Sequence, residues 1–125
     1  MTTLEWLNQA LRIDAEIDSL RQSYKDTKER AATIAETVPD AGQDELEALS
    51  DLIGRLTNRL IRAKSEIISA IYRLEKQDYR LVLLLRHVDG LTWDEVAAAM
   101  RLSSRHVQRL HIKALAALET AEFNG

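Results

Sequence analysis

Apolar positions recur at three- and four-residue steps over almost the whole chain. From the N-terminus the series is Leu4, Leu7, Leu11, Ile13, Ile17, Leu20, Tyr24, Ala31, Ile34 and Val38, with one change of phase near Ile13. That spacing keeps apolar side chains on one helical face and predicts a first helix from about Thr3 to about Thr37. Pro39 cannot continue it, and Pro39-Asp40-Ala41-Gly42 predicts a turn or short linker. The second series is unbroken: Leu46, Leu49, Ile53, Leu56, Leu60, Ala63, Ile67, Ala70 and Leu74. Its 3-4-3-4 steps make a coiled-coil-like seam, with Arg55, Arg59, Arg62, Lys64 and Glu66 around it. Leu52, Ile61, Ile68 and Ile71 widen the stripe, so this helix is expected to touch more than one neighbour. The economical arrangement is an antiparallel hairpin. Two helices of this size bury little area alone, so the remaining apolar surface is expected to pair with a second chain. An intramolecular hairpin without a dimer is the alternative.

Past Leu74 the elements shorten. Asp78 is the expected N-cap of a third helix running from Tyr79 to about Val88. Leu81, Val82, Leu84, Leu85 and Val88 cover more than half its circumference, which predicts deep burial, and Gly90 stands where a C-cap belongs. Thr92-x-x-Glu95 is a capping box preceded by Leu91. It opens a short helix with Trp93, Val96, Ala97 and Met100 on one face, and Trp93 is expected in the core. Arg101-Leu102 makes a turn and Ser103 is the next N-cap. The last helix runs from Ser104 to about Ala121 and buries Val107, Leu110, Ala114 and Leu118. At about 100° per residue, Arg105, Gln108, Arg109 and Ile112 lie on its opposite side. Ser104 borders that face on one flank, His106 and Lys113 on the other. The expected fold class is all-α. A long coiled-coil-like helical hairpin at residues 1–76 precedes a three-helix domain with a helix-turn-helix at residues 77–125.

Composition agrees: Leu, Ala, Arg and Glu dominate, with four Gly and one Pro in 125 residues. The net charge of −3 gives no argument for nucleic acid, but its distribution does. Between residues 101 and 118 stand Arg101, Arg105, Arg109 and Lys113, with His106 and His111, and no acid. Such a run is either a solvated helix face or a helix that meets a polyanion. The absence of cysteine excludes disulfides, thiolate chemistry and a zinc finger. The longest uninterrupted apolar stretches, among them Leu81 to Leu85, are far too short to span a bilayer, and the acidic, amphipathic N-terminus has no secretory-type run. No membrane association and no cofactor are expected. His106 and His111 do not share a face, which argues against a metal site. His87 is expected to cap or line an interface. Nothing in the chain has the spacing of a catalytic constellation, so it is not expected to be an enzyme.

A short helix, a tight turn and a longer helix make a helix-turn-helix pattern. Arg105 and Arg109, one turn apart, can each offer a fork of donors to guanine O6 and N7, and Gln108 can pair with adenine. Ile112 can touch a thymine methyl or pack against the protein. Thr92, Arg101, Ser103, His106 and Lys113 stand where groups meet phosphates.

From Tyr79 to Leu118 the chain resembles region 4 of sigma-70-type factors, the module that reads the −35 promoter element. The resemblance is carried by the buried V-L-x-L-R helix, Gly90-Leu91-Thr92, Asp94-Glu95-Val96-Ala97, and a last helix with Ser103, Val107, Leu110 and Lys113-Ala114-Leu115. With the long N-terminal helices, the chain is similar to small phage or prophage regulators with a sigma-like C-terminus. The resemblance implies base readout by Ser104, Arg105, Gln108 and Arg109. Two positions depart from the pattern: Arg101 replaces the usual turn Gly, and Arg105 replaces a common acid. No segment resembles the part of a sigma factor that melts promoter DNA, so action as a complete sigma factor is not expected. The leading expectation is a sequence-specific DNA-binding transcriptional regulator of phage or prophage origin. It would bind double-stranded DNA as a homodimer through its N-terminal helices, in the cytoplasm of a bacterial host, with RNA polymerase as a further candidate partner. Two other readings stay open: the DNA-recognition small subunit of a phage packaging terminase, and a pure protein-interaction module.

Overall fold

The computed structural model describes residues 1–122, and every regular element among them is helical. Six α-helices follow one another: α1 (Thr3–Leu7), α2 (Gln9–Thr33), α3 (Gln43–Tyr72), α4 (Gln77–Leu83), α5 (Trp93–Met100) and α6 (Ser104–Glu122). A π-helical turn at Leu84–Val88 continues α4. The chain divides into two compact units, residues 12–61 and residues 1–11 with the chain from residue 62 onward.

The unit of residues 12–61 is a helical hairpin. Thr27 of α2 donates its hydroxyl to the Glu45 carboxylate of α3 at 3.3 Å. A Cβ on Gly42 would meet the Thr27 methyl at 3.3 Å and the Ala31 Cβ at 3.5 Å. Falling numbers in α2 face rising numbers in α3, so the helices run antiparallel, as the pattern predicts. α2 stops at Thr33, short of the expected Thr37. Thr33 turns its hydroxyl onto the Arg30 carbonyl at 2.7 Å. The chain then runs as turns, with the N–H groups of Thr37 and Val38 both on the Ile34 carbonyl, before Pro39. A hydroxyl residue that bonds back to its own helix competes with the next turn of it. Gly42 holds a positive φ of 76°, which its missing Cβ permits. Ile13, Ile17 and Leu56 are buried, while Ile34, Val38, Leu52 and Ile61 remain exposed.

The other unit has a conventional apolar core. Leu7 and Ala10, Ile67, Ala70, Ile71 and Leu74, Val82 and Leu83, Val96 and Ala97, and Val107, Ala114 and Leu118 are all buried. α6 packs on both α4 and α5 and touches α1. Two ends of the unit are tied by the Arg73 guanidinium, which donates a fork to the Glu122 carboxylate at 2.6 and 2.7 Å.

Two expectations for α4 need correction. The helix begins at Gln77, and its N-cap is Lys76 without a side-chain cap bond. Arg80 closes the preceding turn instead, donating to the Leu74 and Glu75 carbonyls at 2.7 and 2.9 Å. Leu81 is exposed, whereas Val82 and Leu83 take the fully buried places. The apolar arc of this helix is wider than the neighbours that cover it. The π turn also changes the helical register, with the Asp89 N–H on the Leu84 carbonyl and the Leu91 N–H on the Leu85 carbonyl. Gly90 follows the C-cap Asp89 at φ 71°, the left-handed place where a helix-ending Gly belongs.

Candidate nucleic-acid interface

α5 starts with the predicted capping box: Thr92 accepts from the Glu95 N–H at 3.2 Å, and Glu95 accepts from the Thr92 N–H at 3.0 Å. Those bonds hold the Glu95 carboxyl below the usual carboxylate range. α5 ends at Arg101, which adopts left-handed backbone, φ 58° and ψ 41°. The Leu102 N–H reaches back to the Ala97 carbonyl at 3.0 Å, a Schellman-type closure. Arg101 is the one described non-glycine residue with positive φ. The turn therefore takes the shape that the usual Gly would give, at a conformational penalty. Ser103 then caps α6, accepting from the His106 N–H at 3.1 Å.

Across this turn the Ser104 hydroxyl donates to the Asp94 carboxylate at 2.6 Å. The bond locks the start of α6 to the start of α5. It also commits the Ser104 proton, so only the oxygen's acceptor capacity remains for a base. Of the four base-contacting candidates, Ser104 is half-buried and held in this way, while Arg105, Gln108 and Arg109 are exposed. Thr92, Arg101, Ser103, His106 and Lys113, the backbone candidates, are all exposed too.

α6 brings most of these groups together. Arg105, Arg109 and Lys113 repeat every fourth residue, about 6 Å apart along the axis. With Ser103, His106 and Leu110 they line one shallow depression. A second depression, lined by Lys76, Gln77, Asp78, Tyr79, Leu110 and Lys113, adjoins it at the shared Leu110 and Lys113. Gln108 and Ile112 stand beside the cation row, and Ile112 is 67% exposed.

Behind that face lies a feature the sequence reading missed. His87 and His111 are 2% and 7% exposed. Their Nε2 atoms are 2.7 Å apart, and His87 Nδ1 lies 2.8 Å from the Asn8 amide oxygen. That oxygen can only accept, so His87 Nδ1–H donates to it. His87 Nε2 is then the acceptor for His111 Nε2–H, and both rings are neutral. Burial, the neighbouring ring and Arg86 push His87 down to about 3. Burial and Arg86 push His111 down to about 4. The Trp93 ring meets His111 edge-on at 4.8 Å, and the Arg86 guanidinium sits over Trp93 at 4.5 Å. Arg86 also donates to the Leu91 carbonyl at 2.7 Å. Trp93 is accordingly half-buried under a cation, not deep in the core as expected. The sequence did carry a signal for His111: it falls on the buried stripe of Val107, Ala114 and Leu118.

Residues 66–119 match the family model of Sigma-70, region 4, a helix-turn-helix DNA-binding domain. The match begins within α3 and ends near the close of α6, taking in the whole turn and the cation row. No curated protein and no solved structure matches the chain. Among the described residues there is no cluster of metal-ligating side chains, and no helix is long and apolar enough to cross a membrane.

Proposed function

We propose that this DNA-binding chain is a sequence-specific transcriptional regulator, encoded by a phage or prophage and acting in the cytoplasm of a bacterial host. α6 lies in the major groove. Arg105, Gln108 and Arg109 read base edges, with Ser104 contributing its acceptor oxygen. Thr92, Arg101, Ser103, His106 and Lys113 meet phosphates on either side. One observation carries the reading: the second helix of a sigma-70 region 4 helix-turn-helix presents an exposed cation row within an acid-free stretch.

The chain acts as a homodimer through its N-terminal helices. Support comes from Ile34, Val38, Leu52 and Ile61, large aliphatic residues left exposed on the hairpin. RNA polymerase is the further partner that fits a regulator with this domain. Selection of bound sequences from a random DNA pool, with the mass of the full chain measured in the same buffer, tests both parts. One enriched site, arranged as two half-sites and bound by a dimer, is the expected result. Failure to enrich any sequence overturns the regulator reading. A closed ring of many copies points to a packaging subunit instead.

A further inference from the structure

Ile112 is out of place on the face it occupies. It sits seven residues after Arg105, so it returns to nearly the same angular position two turns along the helix, about 10 Å away. Gln108 and Arg109 lie between the two on that face. Among the described residues of α6 it is the only large apolar side chain left exposed. No acid occurs from residue 101 to 118 to give the face another kind of partner. A surface that matches this pattern must be strongly anionic and still offer an isolated apolar group. The major groove does both, because phosphates flank it and each thymine projects a 5-methyl group into it.

We propose that Ile112 is a specificity-determining residue that reads the 5-methyl group of a thymine, two helical turns from the base met by Arg105. The proposal rests on the DNA reading above. Ile112 suits the task because its branched side chain is stiff, so little rotamer freedom is lost on contact. It has no hydrogen-bonding group, so it selects thymine by the methyl alone. An acidic protein surface supplies the charge but no such dependence on a base methyl.

The test uses the site that a random-pool selection enriches. Each thymine in it is replaced singly by deoxyuridine, which keeps the pairing edge and removes only the methyl. The full chain is expected to lose about four-fold in affinity at one position per half-site, the worth of one buried methyl. Ile112→Ala is expected to bind the thymine and deoxyuridine versions of that position equally. Cytosine placed there is expected to be improved by 5-methylation for the wild type and not for Ile112→Ala. An enriched site without thymine, an absence of any deoxyuridine effect, or a full effect retained by Ile112→Ala each overturns the assignment. An absence of any enriched site overturns the DNA reading beneath it, which separates the two failures.

Discussion

His87 and His111 share one proton line: the Nε2 of His111, on the buried side of α6, lies 2.7 Å from the Nε2 of His87 in the π turn. Asn8, at the junction of α1 and α2, closes the line at 2.8 Å. Three separate stretches of chain are thus fixed directly behind the cation row. The pair resists an extra proton because both rings are buried and Arg86 stands close by. The pKa values of about 3 and about 4 express that refusal.

Stability should therefore depend on pH with a definite sign. In the unfolded chain each histidine takes up a proton near its ordinary value, about 6.5. The folded chain does not until far lower pH. Protons bind the unfolded state more, so stability is full above about pH 7 and falls as pH drops below about 6.5. From about pH 7.5 to about pH 5.5 the expected loss is about 1.4 kcal/mol for each histidine, read by urea unfolding. His87→Leu and His111→Leu each strand a buried polar partner and are expected to cost about 1–3 kcal/mol at neutral pH. The double variant removes both partners, so it should cost less than the sum and flatten the pH profile. A double variant with the wild-type slope would show that other groups set it.

The cation row makes a second prediction. Arg105→Ala and Arg109→Ala are each expected to weaken binding to the selected site by about 1–3 kcal/mol and to relax base preference where they touch. Lys113→Ala is expected to weaken all sequences alike and to reduce the slope of log affinity against log salt by about 0.9. Titrations at several salt concentrations separate the two behaviours. If both arginine variants bind the selected site as tightly as wild type, α6 is not the reading helix.

Much of this site could be read from residue order because it depends on local rules. The Thr92–Glu95 box, the Ser103 cap and the helix-ending Gly90 are each set within a few residues, and all three stand in the structure. The hairpin and the exposed side of α6 follow from periodicity alone. Three features depend on the folded context and could not be read in the same way. The Ser104–Asp94 bond needs the turn already folded. The start of α4 was placed at Asp78 because a good capping residue stands there, whereas Arg80 closes that turn from inside the helix. The histidine line joins residues 8, 87 and 111, and no local pattern brings those together.

Arg101 separates stability from binding. Left-handed backbone at a residue with a Cβ is disfavoured by roughly 1–2 kcal/mol relative to Gly. Arg101→Gly is therefore expected to raise stability by about 1 kcal/mol. Arg101→Val, whose branched side chain suits that backbone worst, is expected to lower it. The same Arg101→Gly variant loses a cation proposed to meet a phosphate, so its DNA affinity should fall at every sequence. Denaturant unfolding and DNA titration of one preparation read both effects. A glycine variant that is less stable than wild type would mean that the Arg101 side chain has a stabilising role of its own.

The two exposed aliphatic residues of α3 make the dimer testable without disturbing a core. Leu52 and Ile61 are 41% and 62% exposed. Nine residues apart, they fall on opposite flanks of the seam formed by Leu46, Leu49, Ile53, Leu56 and Leu60. A single partner helix covering one flank would bury one of them and leave the other in water. Leu52→Glu and Ile61→Glu are expected to leave the stability of the monomer within about 0.5 kcal/mol, since both positions are surface sites. The substitution that lies in the interface should raise the dimer dissociation constant at least ten-fold, because it sets a charge in a desolvated contact. Light scattering on the full chain at tens of micromolar gives the mass of each variant. A wild-type chain that is monomeric at that concentration removes the dimer from the model of function, and equal weakening by both substitutions places partner helices on both flanks.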